Sequence, residues 1–223
     1  MLKMTRAIRL LEGLGIIAFV ALLGAAFRAV APRELGWALA CGAMALPVGY
    51  FAADFLSGLI HWACDSFGDS NTPLWGPLLV APFRRHHRTP TEITRISLLE
   101  NLGASALAGV AVLLLWSPHT SPAAMPVGVL GRYVGLWCIT FAVLSNLFHR
   151  WAHMPKARRP GWMLRLQSWR LILDPHAHAL HHRKPHRTHY CILSGWANPL
   201  SNRVPWARLE SGLARLGIRT NFD

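Results

Sequence analysis

The sequence predicts an all-α membrane protein with about four transmembrane helices, a histidine-rich metal site on the cytoplasmic side and an interfacial helical region near the C-terminal end. Three observations predict this class. Hydrophobic residues make up 52% of the chain and fall into long apolar runs. Charged residues make up only 15%, against about 25% in ordinary soluble domains. Six of the twelve histidines crowd into residues 174–190.

The first element is the apolar run 10–27, which follows the basic residues Lys3, Arg6 and Arg9. A secretory signal peptide is the rival interpretation, because residues 29–31 read Ala-Val-Ala, like a cleavage site. Pro32 directly after that site and the length of the run favour a retained membrane helix. We therefore expect residues 1–34 to form the first transmembrane helix and a turn.

The second span is predicted over about 35–62, with tilt or a break at Pro47. It contains Asp54 and ends near His61. Asp54, His61 and Asp65 are spaced seven and four residues apart, so they share one face of a helix. An acidic group at membrane depth is costly and indicates either function or a hydrogen bond between helices.

The loop after this span carries His86 and His87 among three arginines. The third span is predicted over about 97–116, with Glu100 near its start, and the fourth over about 127–148. His149 and His153 follow four residues apart, so both project from one helix face. We interpret His119, in the turn between the third and fourth spans, as an ordinary surface histidine.

The histidine-rich segment follows an amphipathic stretch, 157–173, which is expected to lie at the membrane interface. Pro185 is expected to break any helix between His182 and His186. We predict one domain over 35–206, which contains the last three spans, and an amphipathic tail over 207–223. The four cysteines are scattered, so the sequence indicates no disulfide framework.

Basic residues predict the orientation of the spans. Every lysine and arginine except Arg28, Arg33 and Arg132 falls on the side of the N-terminus, the loop between spans two and three, and the residues after 148. The positive-inside rule makes that side cytoplasmic, with both termini. Every histidine except His119 falls on the same side, so separate segments converge there on one site. This pattern argues against a nucleic-acid binder, despite the net charge of +13.

Imidazole is a ligand for zinc, iron, copper and nickel. A catalytic zinc takes three protein ligands, so nine or more clustered histidines suit two ions better. A histidine-rich two-iron centre is the better match, with Asp65 and Glu100 as candidate acids that orient the ligand rings. Spacing alone does not separate iron from zinc.

Four segments of the chain also resemble a known family. They read GYFAADFLSGLIHWACDSFGD, PFRRHHRTPTEITR, NLFHRWAH and QSWRLIL followed by HALHHRKPHRTHYCILSGWAN. In order and spacing they look like the plasmanylethanolamine desaturase family, which is a Kua-type or CarF-type group of membrane lipid desaturases related to the plant phosphatidylglycerol desaturase. The resemblance runs from about Gly49 to Trp206. Ile96 stands where the animal members carry a histidine.

The resemblance implies a di-iron desaturase that uses O2 and introduces a double bond into a phospholipid chain near the head group. The expected product is plasmenylethanolamine from plasmanylethanolamine, with the acyl chain of phosphatidylglycerol as an alternative substrate. His176 and His189 have no histidine counterpart in the animal members and stay outside the implied ligand set. The implied metal ligands are His61, His86, His87, His149, His153, His178, His181, His182 and His186.

The chain has no visible flavin, haem or iron–sulfur motif, so the resemblance implies electrons from a separate donor such as a cytochrome b5-like protein or a ferredoxin. That donor would dock on the basic cytoplasmic face. The membrane would be a bacterial inner membrane or the endoplasmic reticulum. A lipid hydroxylase, a zinc-dependent membrane lipid hydrolase and a carrier of metal or haem stay open as alternatives.

Overall fold

The computed structural model describes residues 6–32, 34–73, 76, 80–116 and 126–218, and its extended regular elements there are all helical. His119 and residues 219–223 lie outside the described residues. Two short 3-10 turns, Pro90–Thr94 and Lys156–Arg158, complete the pattern. The helices are α1 (Arg6–Val30), α2 (Leu35–Ser66), α3 (Ala81–Arg88), α4 (Leu98–Leu115), α5 (Pro126–His153), α6 (Gly161–Ser168), α7 (Pro175–His181), α8 (Asn198–Ser201) and α9 (Trp206–Arg215).

Four of these helices, α1, α2, α4 and α5, are long and apolar enough to cross a membrane. Many of their large apolar side chains are exposed, including Leu10, Ile17 and Val20 on α1 and Leu39 on α2. Such exposure is expected where lipid, and not water, is the surrounding medium. The predicted fold class, a helical membrane protein with four spans and a histidine-rich cluster, is confirmed. The orientation of the spans stays a prediction.

Two of the long helices extend beyond the predicted spans, as the expected helix faces of Asp65 and His153 require. Helix α2 reaches Ser66, and helix α5 reaches His153. The extra turns carry polar side chains that find partners inside the protein, so hydropathy alone marks their ends too early. Pro47 lies inside α2 without ending it.

The chain divides into two compact units, each built from two stretches of sequence. Met1–Ala53 and Ser97–Leu147 form one, here called the span unit. Asp54–Ile96 and Phe148–Asp223 form the other, here called the histidine unit. The division of the chain into 1–34, 35–206 and 207–223 stays a prediction.

Small residues allow close helix packing within the span unit. A Cβ added at Gly109 of α4 would lie 2.7 Å from the Phe19 ring on α1, and one at Gly49 of α2 would lie 2.7 Å from the carbonyl oxygen of Val134 on α5. Helices in lipid associate mainly through such close contact, because lipid tails are as apolar as the side chains. These glycines therefore serve packing.

A buried carboxylate organises the C-terminal part of the histidine unit. Asp54 is fully buried, and its side chain accepts backbone N–H groups from a single turn of chain. The donors are Leu193 (3.1 Å), Ser194 (2.9 Å), Gly195 (3.1 Å) and Ala197 (2.9 Å). The neighbouring Ser57 hydroxyl accepts the N–H of Ile192 at 3.0 Å. The costly acid in α2 is thus balanced by fixed backbone dipoles, and it ties residues 192–197 to α2.

A second buried acid anchors α9. The side chain of Glu210 is nearly fully buried, and its Oε1 accepts hydrogen bonds from Trp62 Nε1 and Ser66 Oγ, both at 3.0 Å. Its Oε2 lies 3.2 Å from the guanidinium of Arg187. The last helix is therefore held to the end of α2 and to the histidine-rich segment.

Candidate metal centre

The histidine unit brings its imidazoles together from four helical segments. The i, i+4 spacing on α2 and on α5 places two donors on one helix face, so each helix supplies a pair. The remaining donors come from the short helices α3 and α7. The donors are His61 and Asp65 on α2, His86 and His87 on α3, His149 and His153 on α5, His178 and His181 on α7, and His182 directly after α7.

Five histidines form the first donor group, with one nitrogen of each within 4.8 Å of all the others. The Nε2 of His178 lies 2.8 Å from those of His149 and His153, and 3.0 Å from that of His182. The His86 ring closes the group, 4.5 Å from the rings of His149 and His153 between centroids. An imidazole nitrogen carries at most one proton, so His178 Nε2 can donate to only one neighbour. The remaining close pairs therefore set like groups against each other, lone pair against lone pair or N–H against N–H. A central cation bound by the Nε2 lone pairs resolves this arrangement.

Three histidines and one carboxylate form the second donor group: His61, Asp65, His87 and His181. Asp65 Oδ1 lies 3.0 Å from His87 Nε2, and Oδ2 lies 3.5 Å from the Nε2 atoms of both His61 and His181. The sequence placed Asp65 among acids that orient the ligands. The structure places its oxygens among the donor nitrogens themselves.

The protonated nitrogens of two histidines in this second group, His61 and His181, can be identified from their partners. His61 Nδ1 lies 3.0 Å from the Tyr190 carbonyl oxygen, and His181 Nδ1 lies 2.9 Å from that of Thr188. A carbonyl only accepts, so both Nδ1 atoms carry the proton and both Nε2 atoms present lone pairs. These Nε2 atoms are buried without a hydrogen-bond partner and converge on a carboxylate oxygen. These buried nitrogen and oxygen atoms can all accept a hydrogen bond, and none can donate one to another. Atoms arranged in this way are suited to coordinate a cation together.

The two donor groups adjoin one another. The rings of His61 and His149, one from each group, have centroids 5.8 Å apart, and those of His178 and His181 are 5.7 Å apart. His87 and His182 are closer, at 5.3 Å. The arrangement therefore suits two neighbouring cations that accept nitrogen ligands, such as iron or zinc.

Burial keeps His86, His178 and His182 in the form that binds metal. It lowers the pKa of His86 and His178, and the neighbouring imidazoles lower each pKa further. The same two causes lower the pKa of His182 to about 2. The rings are therefore neutral at neutral pH, which is the protonation state that a metal needs.

Two of the predicted site residues fall outside both donor groups. The His186 ring lies 4.4 Å from that of His87, and its Nδ1 donates to the His181 carbonyl oxygen at 3.2 Å. It is thus beside the second group. Glu100 belongs to the span unit. Its backbone N–H donates to Ser97 Oγ, which caps the start of α4.

The remaining histidines of the rich segment face elsewhere. His176 is exposed on α7. His189 has its backbone N–H bonded to Asn202 Oδ1, and its Nε2 lies 3.4 Å from Asn202 Nδ2. Neither is a member of a donor group among the residues that the structure describes.

Sequence reasoning missed the backbone carbonyls that orient the rings and the acid that anchors α9. Nothing in the sequence marks Tyr190 or Thr188 as a partner of an imidazole. The i, i+4 spacing of His61 and Asp65 did carry a usable signal, because it places both side chains at one point.

The fold and the site together define a class: a helical membrane protein with a buried, histidine-rich pair of candidate metal sites. The chain belongs to the lipid desaturase domain family, whose sequence model matches residues 50–220. This confirms the resemblance seen in the sequence.

Several relatives are similar over most of the chain. Plasmanylethanolamine desaturase 1 of Mus musculus is 37% identical over 73% of this chain and 61% of its own length. The plasmanylethanolamine desaturase of Myxococcus xanthus is 36% identical over 86% of this chain and 66% of its own length. The chloroplastic fatty acid desaturase 4 of Arabidopsis thaliana is 37% identical over 79% of this chain and 53% of its own length.

The chain thus spans less than two thirds of the length of these relatives. No solved structure matches it.

Proposed function

We propose that this protein is a membrane-bound, oxygen-dependent lipid desaturase. It would introduce a double bond into a phospholipid chain near the head group. The observation that carries the proposal is the pair of adjoining donor groups, eight histidines and Asp65, in a chain of the lipid desaturase domain family. The names of the mouse and Myxococcus relatives favour plasmanylethanolamine as substrate and a vinyl ether as product.

Two iron ions are the proposed cofactor. The first donor group would hold one ion through five imidazoles, and the second would hold the other through His61, His87, His181 and Asp65. His186, beside His87, is the ninth histidine that we assign to the pair. When bound, the iron pair supplies the reaction with O2 that removes two hydrogens from neighbouring carbons.

The chain's own residues prepare this chemistry. The carbonyls of Tyr190 and Thr188 fix the rings of His61 and His181 with their lone pairs turned toward the donor group. Asp65 contributes a negative charge that offsets part of the charge of a bound cation. The burial of His61, His178 and His181 keeps water away from the reacting centre.

Each turnover reduces O2 to two waters with two electrons and two protons from outside and two hydrogens from the lipid. We propose that a separate acidic electron-donor protein supplies the electrons. Arg85 and Arg88 on α3, with Arg183 and Lys184 after α7, are exposed and lie close in sequence to the histidine ligands. They suit an acidic partner on this face.

We also propose that the N-terminus, the C-terminal segment and the metal centre lie on the cytoplasmic side. The distribution of lysines and arginines supports this orientation. Labelling of single introduced cysteines by a membrane-impermeant reagent in intact cells would test it, with labelling of residues near His176 contradicting the assignment.

The decisive experiment expresses the protein in a host that makes ether phosphatidylethanolamine but no vinyl ether. Mass spectrometry should find a lipid lighter by two hydrogens and labile to acid. His182→Ala should abolish this product, and the exposed Arg208→Gln on α9 should retain it as the matched control. No new double bond, with iron-loaded protein and a donor present, would exclude a desaturase.

Two other outcomes of this experiment point to specific alternatives. A hydroxylated lipid identifies an oxygenase. Stoichiometric zinc without iron in the purified protein identifies a hydrolase, because zinc activates water and has no redox chemistry.

A further inference from the structure

Three aromatic side chains form a continuous line within the histidine unit, and this aromatic line begins at the second donor group. The Tyr190 ring lies 5.1 Å from the ring of His181 and 6.0 Å from that of His61, measured between centroids. The next ring is that of Trp206, 5.8 Å from Tyr190, and Trp62 follows, 4.6 Å from Trp206. Tyr190 and Trp206 are buried, whereas Trp62 is partly exposed. The line therefore leads from the candidate metal centre to a side chain that solvent can reach.

Packing alone does not account for the residue types in this line. Tyr190 Oη and Trp206 Nε1 are both buried and have no hydrogen-bond partner among the residues that the structure describes. Tyrosine and tryptophan usually find a partner when they are buried, because an unsatisfied polar atom costs free energy. A phenylalanine ring avoids this cost. What phenylalanine lacks is the ease of one-electron oxidation that phenol and indole rings share.

The outer end of the line is paired with a buried acid. Trp62 Nε1 donates a hydrogen bond to Glu210 Oε1 at 3.0 Å. The other oxygen of this carboxylate lies 3.2 Å from the guanidinium of Arg187, which holds the acid in place against the indole. A negative charge beside an indole stabilises the radical cation that one-electron oxidation forms. The nitrogen of Trp206 has no such neighbour in the described part of the chain, so oxidation is favoured at Trp62.

The proposed reaction creates a need for such a line. On its way to two waters, O2 accepts two electrons from the donor protein and two more with the hydrogens of the lipid. When no lipid chain is in position, the last two electrons have no source, and two oxidising equivalents remain at the donor groups. Left there, these equivalents oxidise the imidazoles that hold the metal.

We propose that Tyr190, Trp206 and Trp62 form a redox relay that carries oxidising equivalents away from the metal centre when no lipid receives them. In each pass Tyr190 supplies one electron and its hydroxyl proton to the reduction of O2. An electron then moves from Trp206 to Tyr190, and another from Trp62 to Trp206, so that the missing electron is finally at Trp62. The electron-donor protein replaces it, and a proton from solvent restores the Tyr190 hydroxyl. Two passes complete the reduction of O2 to water.

This inference rests on the proposed function and goes beyond it, because it gives three side chains outside the donor groups a protective role. Two substitutions interrupt the relay and remove no hydrogen bond within the described residues: Tyr190→Phe and Trp206→Phe. Tyr190→Phe also keeps the backbone carbonyl that orients His61. The matched control is Trp169→Phe, because this indole is 62% exposed in the same unit and lies outside the line. Iron content and unfolding temperature, measured first, should match the wild type in Tyr190→Phe and in the control.

The test treats full-length, iron-loaded protein in detergent with hydrogen peroxide in the absence of lipid, which supplies oxidising equivalents directly. Electron paramagnetic resonance of rapidly frozen samples should detect a tryptophan radical in the wild type, and peptide mass spectrometry should find oxygen added to Trp62. Both signals should be lost in Tyr190→Phe. In Trp206→Phe the radical should stay on Tyr190 and give a tyrosyl spectrum. The Trp169→Phe control should behave like the wild type.

The two interrupted variants should also gain oxidised histidine at ligand positions such as His181 and should lose iron faster than the wild type. Equal oxidation of Trp62 in all four proteins would overturn the relay. Absence of any protein radical in the wild type, or oxidation of Trp169 as heavy as that of Trp62, would overturn it too. Failure of the proposed function gives a different result: the radicals form and respond to the substitutions, but no lipid gains a double bond.

Discussion

Asp54 Oδ2 accepts the backbone N–H of Ala197 at 2.9 Å, while the other carboxylate oxygen accepts the N–H groups of Leu193, Ser194 and Gly195. This anchor lies a few residues after Tyr190, whose carbonyl orients His61. One buried acid thus fixes the chain segment that sets the direction of a candidate ligand. We regard Asp54 as a positioning residue.

Asp54→Ala should destabilise the histidine unit. It leaves four N–H groups without an acceptor, three of them buried, and each unsatisfied buried group costs about 1–3 kcal/mol. We expect a loss of more than about 3 kcal/mol, seen as a lower unfolding temperature in detergent, and weaker metal binding at the second donor group. Asp54→Asn keeps one acceptor oxygen, so its stability should lie between those of the wild type and Asp54→Ala. Equal stability of all three proteins would contradict this role.

His182→Ala should lower the metal content from about two ions per chain to about one, because it removes a nitrogen from the first donor group. Elemental analysis of purified protein measures this directly. His176→Ala is the matched control, since His176 is an exposed histidine on the adjoining helix and should leave the metal content unchanged. A full complement of metal in His182→Ala would remove this residue from the ligand set.

Asp65→Asn tests the second donor group. Loss of the carboxylate charge should release the ion of this group while the first group, which is made of imidazoles alone, keeps its own. The Mössbauer spectrum of iron-loaded protein should simplify to one dominant site. Asp69→Asn, on the exposed turn after α2, provides the control. Two occupied sites in Asp65→Asn would assign the carboxylate to ring orientation only.

The metal-free protein should lose stability as the pH falls from about 7 to about 5. An unfolded histidine takes up a proton near its ordinary pKa of about 6.5. Folded His182 stays neutral until its pKa of about 2, and His86 and His178 are shifted in the same direction. The unfolded state therefore binds more protons in this range, so the stability is complete above about pH 6.5 and declines below it.

Thermal unfolding of chelator-treated protein across this pH range measures the slope. His182→Gln should flatten it by up to one proton, since glutamine does not titrate. An unfolding temperature that is independent of pH would show that the imidazoles are already solvated in the folded chain.

The sequence predicted the spans and the convergence of the histidines because both follow from local patterns. Apolar runs reveal helices such as α1, and the spacing of His149 and His153 reveals a shared helix face. The roles of residues whose partners are distant in sequence are harder to predict. Asp54 was recognised as a costly acid, but its partners are backbone groups that carry no signature in the sequence.

Glu210 shows the same limit. It lies in a stretch that reads as an amphipathic surface tail, yet it is buried and accepts hydrogen bonds from Trp62 and Ser66. Hydrophobic periodicity describes one face of α9 and says nothing about a single acid on the face that meets the protein. Contacts of this kind require the three-dimensional arrangement.

His61 and the Tyr190 carbonyl that orients it are 129 residues apart in the chain. A ribosome therefore completes the spans, and most of the remaining chain, before the second donor group can close. Early in synthesis the membrane already holds His61 and Asp65, but the rings that complete both groups have not yet emerged. Metal loading is consequently a late event in biogenesis, because a chain truncated before the histidine-rich segment carries only three donors of each group.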